Sequence, residues 1–127
     1  MTRIPKKDRD MIELAIYLPM VLTILNRDLT LIETSSFKLK KPYIEWIQKT
    51  MLLIQKELSE VKRFLRENRI QVNQMKSDDA FTLFLFLYKG YEEYHNYFNP
   101  RIRNKVEELM KYYLYERLEE ELPNPKN

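Results

Sequence analysis

The sequence contains one glycine, Gly90, and no cysteine among its 127 residues. Without cysteine the chain can form no disulfide, hold no thiolate zinc site and offer no thiol nucleophile. Sandwiches, barrels and phosphate-binding loops use several glycines for tight turns and close backbone approach, so a single glycine argues against these classes. The two scarcities together favour a helical protein of the reducing cell interior.

A membrane-crossing stretch and a secretory signal are also lacking. The most apolar stretch, Leu14 to Leu25, contains Pro19 and is shorter than the ~20 apolar residues that a bilayer requires. The first ten residues, MTRIPKKDRD, have no apolar region of the kind that a signal peptide needs. We therefore expect a cytoplasmic protein with no membrane partner.

Apolar residues recur at helical spacing in two segments of the N-terminal half. The first is apolar on nearly all sides and predicts a buried helix over residues 8–33, kinked or broken by Pro19 near Tyr17. The second predicts a helix over 42–68, with Pro42 in its first turn. Its apolar positions lie alternately three and four residues apart: Ile44, Ile47, Met51, Ile54, Leu58, Val61 and Leu65.

Two more helices are predicted in the C-terminal half. Capping residues at Ser77 to Asp79 favour a helix over 78–97. The run from Phe81 to Tyr88 is apolar throughout, and periodicity alone cannot distinguish a buried strand from a helix there. Asn99 followed by Pro100 predicts the start of a helix over 100–121.

The predicted fold is an all-α, four-helix-bundle-like single domain over residues 1–122, followed by a frayed tail, 123–127. A length of 127 residues and an apolar content of 44% suit one core. The segments 34–41 and 69–76 are predicted loops, with pairing as a short ribbon as the alternative.

A metal site is suggested by Glu92 and His95, since Glu-x-x-His on a helix is the ligand motif of di-iron bundles. Such a site needs two histidines, and the chain has one. On a helix His95 would continue the stripe Phe84, Tyr88, Tyr91, which favours a histidine at the edge of the core. We predict no cofactor, no metal and no catalytic residue, with a metal-dependent enzyme around Glu92 and His95 as the weakest alternative.

Tyrosines and misplaced charges point to an interaction surface. Arg101 and Arg103 crowd the start of the fourth predicted helix, where the helix dipole disfavours cations, so partners elsewhere should offset them. Tyrosine is enriched in interfaces, although it also fills core edges. The predicted interaction residues are Tyr94, Tyr97, Arg101, Arg103 and Tyr115.

Basic residues are unevenly distributed along the chain. Residues 1–76 hold 15 Lys and Arg against 9 Asp and Glu, whereas residues 77–127 hold 7 against 10. This asymmetry gives nucleic-acid binding as the alternative function. The clustered cations that would carry it are Lys6, Lys7, Arg9, Lys38, Lys40 and Lys41.

The predicted function is that of a non-enzymatic helical interaction module, a small regulatory or accessory protein that acts by protein–protein contact. The supply of apolar residues exceeds what four short helices hide among themselves, which favours a homodimer.

Overall fold

Helices and one antiparallel sheet make up residues 4–117, the part of the chain that the computed structural model describes. The prediction of an all-α four-helix bundle is therefore wrong, and the fold is α+β. In chain order the elements are α1 Lys6–Glu33, α2 Lys41–Glu67, β1 Ile70–Ser77, β2 Phe81–Tyr88, β3 Tyr91–Phe98, α3 Asn99–Lys111 and a π-helical turn Tyr112–Arg117.

The first helix, α1, continues through Pro19 without the predicted break. The hydroxyl of Thr23 donates to the Pro19 carbonyl at 3.0 Å. By length and composition α1 is the one helix of the described residues that could cross a membrane, a test that the core helix of a soluble protein also passes. In this fold α1 contacts α2, α3 and β1, and it buries Ile12, Leu18 and Val21 completely.

The second helix, α2, packs against α1 through the predicted seam. The polar side chain that shares this buried face is Thr50, whose hydroxyl donates to the Trp46 carbonyl at 2.8 Å. Satisfying the hydroxyl within its own helix removes most of the cost of burying it. The seam residues that are buried are Ile47, Ile54, Leu58, Val61 and Leu65.

The region of the third predicted helix, 78–97, forms two strands instead. The segment Phe81–Tyr88, for which the sequence allowed either a helix or a buried strand, forms strand β2. This strand pairs antiparallel with β3, and the Tyr88–Tyr91 pair lies next to the turn. Two residues connect the strands: Lys89 has a φ of 50° and Gly90 a φ of 91°. Positive φ at both central positions is the geometry of the two-residue hairpin turn. The single glycine of the chain is placed where this turn requires it.

A second hairpin joins β1 to β2, so the predicted loop 69–76 is largely strand and does not pair with 34–41. Asp78, predicted as a helix cap, closes the turn: its Oδ1 accepts the backbone N–H groups of Ala80 and Phe81, each at 2.8 Å. These hydrogen bonds hold the pKa of Asp78 below its ordinary value. The strand order is β1-β2-β3, with a bulge in β1 between Gln74 and Lys76.

The fourth predicted helix, 100–121, is α3 continued by the π-helical turn as far as Arg117. Its last residues and the predicted tail, 123–127, lie outside the described residues. Three polar contacts fix the turn to α2: Trp46 Nε1 donates to the Leu114 carbonyl at 3.3 Å, the Tyr113 hydroxyl donates to Glu57 Oε1 at 3.4 Å, and Arg117 Nε lies 3.3 Å from the same Glu57 oxygen. The residues up to Arg117 are thus held against α2 at Trp46 and Glu57.

Candidate interaction surfaces

The sheet has two faces of different character. On β2 the side chains of Thr82, Phe84, Phe86 and Tyr88 are buried, and this inner face packs toward the helices. The alternate residues of β2 and their register partners form what we call the outer face, which the helices among residues 4–117 do not bury. Its members are Gln71, Asn73 and Lys76 on β1, Phe81, Leu83, Leu85 and Leu87 on β2, and Glu92, Tyr94, Asn96 and Phe98 on β3.

The middle of the outer face is an apolar stripe. Leu83, Leu85 and Leu87 are only partly covered, by the polar side chains on either side. At one end the stripe continues into Phe81, whose ring lies 5.5 Å from that of Phe98. Isolated exposed apolar residues are ordinary on protein surfaces, whereas a contiguous, partly exposed stripe makes this face a candidate contact site.

The inner face of β3 is polar where it meets α1. Arg9 Nη2 lies 3.4 Å from His95 Nδ1, and His95 Nε2 lies 2.9 Å from Glu93 Oε1. Because a guanidinium only donates, Nδ1 accepts and Nε2 carries the proton that Glu93 accepts. The His95 ring also stacks on Phe86, with centroids 4.5 Å apart. This histidine therefore orders the contact between β3 and α1.

Two tyrosines extend the same contact. The Tyr97 hydroxyl donates to Glu13 Oε2 at 2.8 Å, and the Tyr88 hydroxyl donates to Asp8. Burial, followed by the hydrogen bond to Glu13, raises the pKa of the Tyr97 phenol well above its ordinary value. The hydrogen bond to Asp8 raises the pKa of Tyr88. Neutral phenols that donate to carboxylates thus fasten the sheet to the first helix.

The five predicted interaction residues do not share one surface. Tyr94 is exposed on the outer face, whereas Tyr97 is buried on the inner face. Arg101 is exposed on α3. Arg103 and Tyr115 line a groove of about 530 Å³ between α1 and α3, together with apolar residues such as Met20, Ile102 and Met110.

The predicted nucleic-acid cluster divides into two sets. Lys6, Lys7 and Arg9 lie in the first turn of α1, and the other three lysines follow its far end. A helix of 28 residues is about 42 Å long at 1.5 Å per residue, so the two sets form no single patch. Arg9 in addition contacts His95.

Glu92 and His95 point to opposite faces of β3, because side chains three apart on a strand alternate. The histidine is near Glu93 instead. Residues 4–117 contain no group of three or more His, Asp or Glu that could hold a metal ion.

Comparison with known proteins places the chain in a family. Residues 3–118 match the family described as "YhjD protein". This chain belongs to the YhjD family. It is 51% identical over 106 residues to a Bacillus subtilis (strain 168) protein called "Uncharacterized protein YhjD", covering 84% of this chain and 88% of that protein. No solved structure matches significantly.

Sequence reasoning missed the outer face of this YhjD chain. Both faces of β2 are apolar, so the alternation that marks a half-buried strand is invisible in Phe81 to Tyr88. The signal that could have revealed it is the Lys89–Gly90 pair between two eight-residue segments, which is the length and composition of a hairpin.

Proposed function

We propose that this chain is a non-enzymatic interaction module that self-associates through the outer face of its sheet. The observation that carries the proposal is the leucine stripe of Leu83, Leu85 and Leu87 on a face that no described helix buries. Only Lys76 and Glu92 on this face carry charge, so two copies can approach with little electrostatic repulsion.

Charge at the two ends of the outer face favours a second copy as the occupant. Arg66 and Arg69 lie beside Leu87 at the end where β1 begins. Asp78 and Asp79 lie in the turn at the other end of β1. If the second copy is rotated so that its strands run antiparallel over the first, the arginines of each copy face the aspartates of the other.

The size of the face predicts a weak dimer. Strands of eight residues rise ~3.4 Å per residue and lie ~4.8 Å apart, so the three strands present about 400 Å² per copy. Two copies bury about 800 Å², whereas stable interfaces bury about 1,200 Å² or more. The dimer should therefore dissociate on dilution.

Sedimentation equilibrium over a wide concentration range tests self-association. The natural chain should show a molar mass that rises with concentration, and Leu85→Lys should stay monomeric. Leu52→Lys is the matched control, because Leu52 is 65% exposed and belongs to α2 rather than to the outer face. A natural chain that is monomeric at the highest concentration would contradict the proposal, and so would a Leu85→Lys chain that associates normally.

A charge exchange tests the orientation. Arg69→Asp and Asp79→Arg should each weaken association, and the double variant should restore it, because the pair is then inverted. Asp is chosen at position 69 because Arg69 has a φ of 56°, a conformation that Asp tolerates. Failure of the double variant to recover would exclude this arrangement of the two copies.

A further inference from the structure

Apolar side chains are exposed where α1 passes into α2. We call residues 31–46 the α1–α2 tip. Leu39 is 72% exposed, and Phe37 is 53% exposed with its ring 5.7 Å from that of Tyr43. Leu31 and Trp46 add to this exposed apolar area. The tip therefore presents large apolar side chains to water on a turn between two helices, at the end of the fold opposite the first turn of α1.

Cations alternate with these apolar residues. Residues 34–44 carry three lysines and no acidic residue. Lys40 Nζ donates to the backbone carbonyl of Glu33 at 3.1 Å, which satisfies the ammonium without neutralising it. Lys41 lies 3.9 Å from Glu45, with both side chains more than half exposed, so this ion pair holds the lysine only loosely. Lys38 has no ion-pair partner among the described residues.

Alternating lysine and apolar side chains match an anionic bilayer surface. Apolar side chains leave water at the headgroup boundary, aromatic rings with polar tips favour that boundary, and ammonium groups stay beside lipid phosphates. The bilayer needs no shaped pocket on the protein, which suits a protruding turn. A single-stranded nucleic acid would attract the same lysines, but the most exposed apolar residue is Leu39, which cannot stack on bases.

We propose that the α1–α2 tip is a peripheral docking site for an anionic lipid bilayer, in contrast to the expectation from the sequence of no membrane partner. Phe37 and Leu39 enter the headgroup boundary. Lys38, Lys40 and Lys41 remain at the level of the phosphates. Each lysine beside an anionic surface should change the affinity about fivefold. This site lies apart from the outer face of the sheet, so the proposal is independent of self-association.

Trp46 makes the site directly measurable, because it is the only tryptophan of the chain and belongs to the tip. The full chain is titrated with phosphatidylcholine vesicles and with vesicles of equal parts phosphatidylcholine and phosphatidylglycerol. A blue shift of the tryptophan emission, together with co-sedimentation, is expected with the anionic vesicles only, and added salt should weaken it. No binding, or equal binding to both vesicle types, would overturn the proposal.

Matched variants assign the binding to the tip. Leu39→Ser should weaken vesicle binding about tenfold, as expected for one apolar side chain withdrawn from the boundary, whereas Leu52→Ser should not. Lys38→Glu should weaken it about fivefold or more, whereas Lys56→Glu, an exposed control on α2, should have less effect. Equal losses in a variant and its control would refute the assignment.

Competition experiments distinguish a bilayer from other ligands that the α1–α2 tip could bind. Soluble glycerol phosphate should not displace the chain from vesicles, since it offers charge without an apolar boundary. If a single-stranded oligonucleotide binds more tightly than the vesicles, with the same sensitivity to Lys38→Glu, the ligand of the tip is a nucleic acid and the lipid proposal is wrong. The monomeric variant Leu85→Lys should still bind vesicles, so failure of either proposal can be told from failure of the other.

Discussion

Three phenylalanines of β2 provide a test of the strand that replaces the third predicted helix. Phe84 and Phe86 lie two residues apart and are both buried, Phe86 completely. In a helix, positions two apart point about 200° apart, so both would not enter one core together. Phe81 belongs to the outer face and is 40% exposed. Truncating each of these phenylalanines therefore compares the inner and outer faces of β2 with the same substitution.

The burial of each phenylalanine sets how much free energy of unfolding its replacement by alanine should remove. Truncating a buried phenylalanine to alanine costs about 3–5 kcal/mol, and Phe86→Ala should lie near the upper value because it also loses the His95 stack. Phe84→Ala loses its edge contact with Tyr97, whose ring centroid is 5.4 Å away. Phe81→Ala loses part of its burial and the pair with Phe98, together about 1–2 kcal/mol.

Urea unfolding followed by far-ultraviolet circular dichroism gives the three free energies of unfolding under one set of conditions. The free energy of unfolding of the two inward variants should fall by at least about 1 kcal/mol more than that of Phe81→Ala. A small loss for either Phe84→Ala or Phe86→Ala, or a loss for Phe81→Ala as large as theirs, would refute the assignment of faces on β2.

Two further predictions concern a phenol and a turn. Burial, then the charge of Glu13, raises the pKa of Tyr17 from 10.0 to about 12, so its stabilising contribution is present below pH 10 and lost as the pH rises through about 12. Between these pH values the free energy of unfolding of the natural chain should fall by up to about 2 kcal/mol relative to that of Tyr17→Phe. Urea unfolding at each pH measures this difference, and the exposed control Tyr115→Phe should behave as the natural chain does. Gly90→Ala should cost about 1 kcal/mol of strain although its new methyl group meets no atom within 4 Å. Gly90→Asn should lower the midpoint of thermal unfolding less than Gly90→Ala does, because asparagine tolerates positive φ. Equal losses of stability in the two variants would show that φ is not the cause.

The helices of the N-terminal half were predictable because their apolar residues obey one period. Leu58, Val61 and Leu65 are buried where the spacing places them on α2. In α1 the helix continues through Pro19 rather than breaking there, because its packing against α2 and α3 outweighs the cost of one proline.

The sheet was not predictable by the same reasoning, for a physical cause that lies in β3. Its inner residues Glu93 and His95 are polar and still partnered, because His95 contacts Arg9 of α1 and Glu93 contacts His95, so polarity does not mark the solvent side. The scarcity of glycine also misled. One hairpin uses Gly90, and the other is closed by the carboxylate of Asp78, so two tight turns need a single glycine.

The bulge in β1 limits how far this protein can assemble. Met75 is inserted between the pairs Gln74–Phe84 and Lys76–Leu83, which interrupts the regular row of donors and acceptors along the free side of β1. An interrupted, lysine-bearing margin resists the addition of further strands. Growth of fibres by strand addition at the β1 edge is thereby discouraged, which is compatible with the proposed face-to-face pairing of two copies through the leucine stripe.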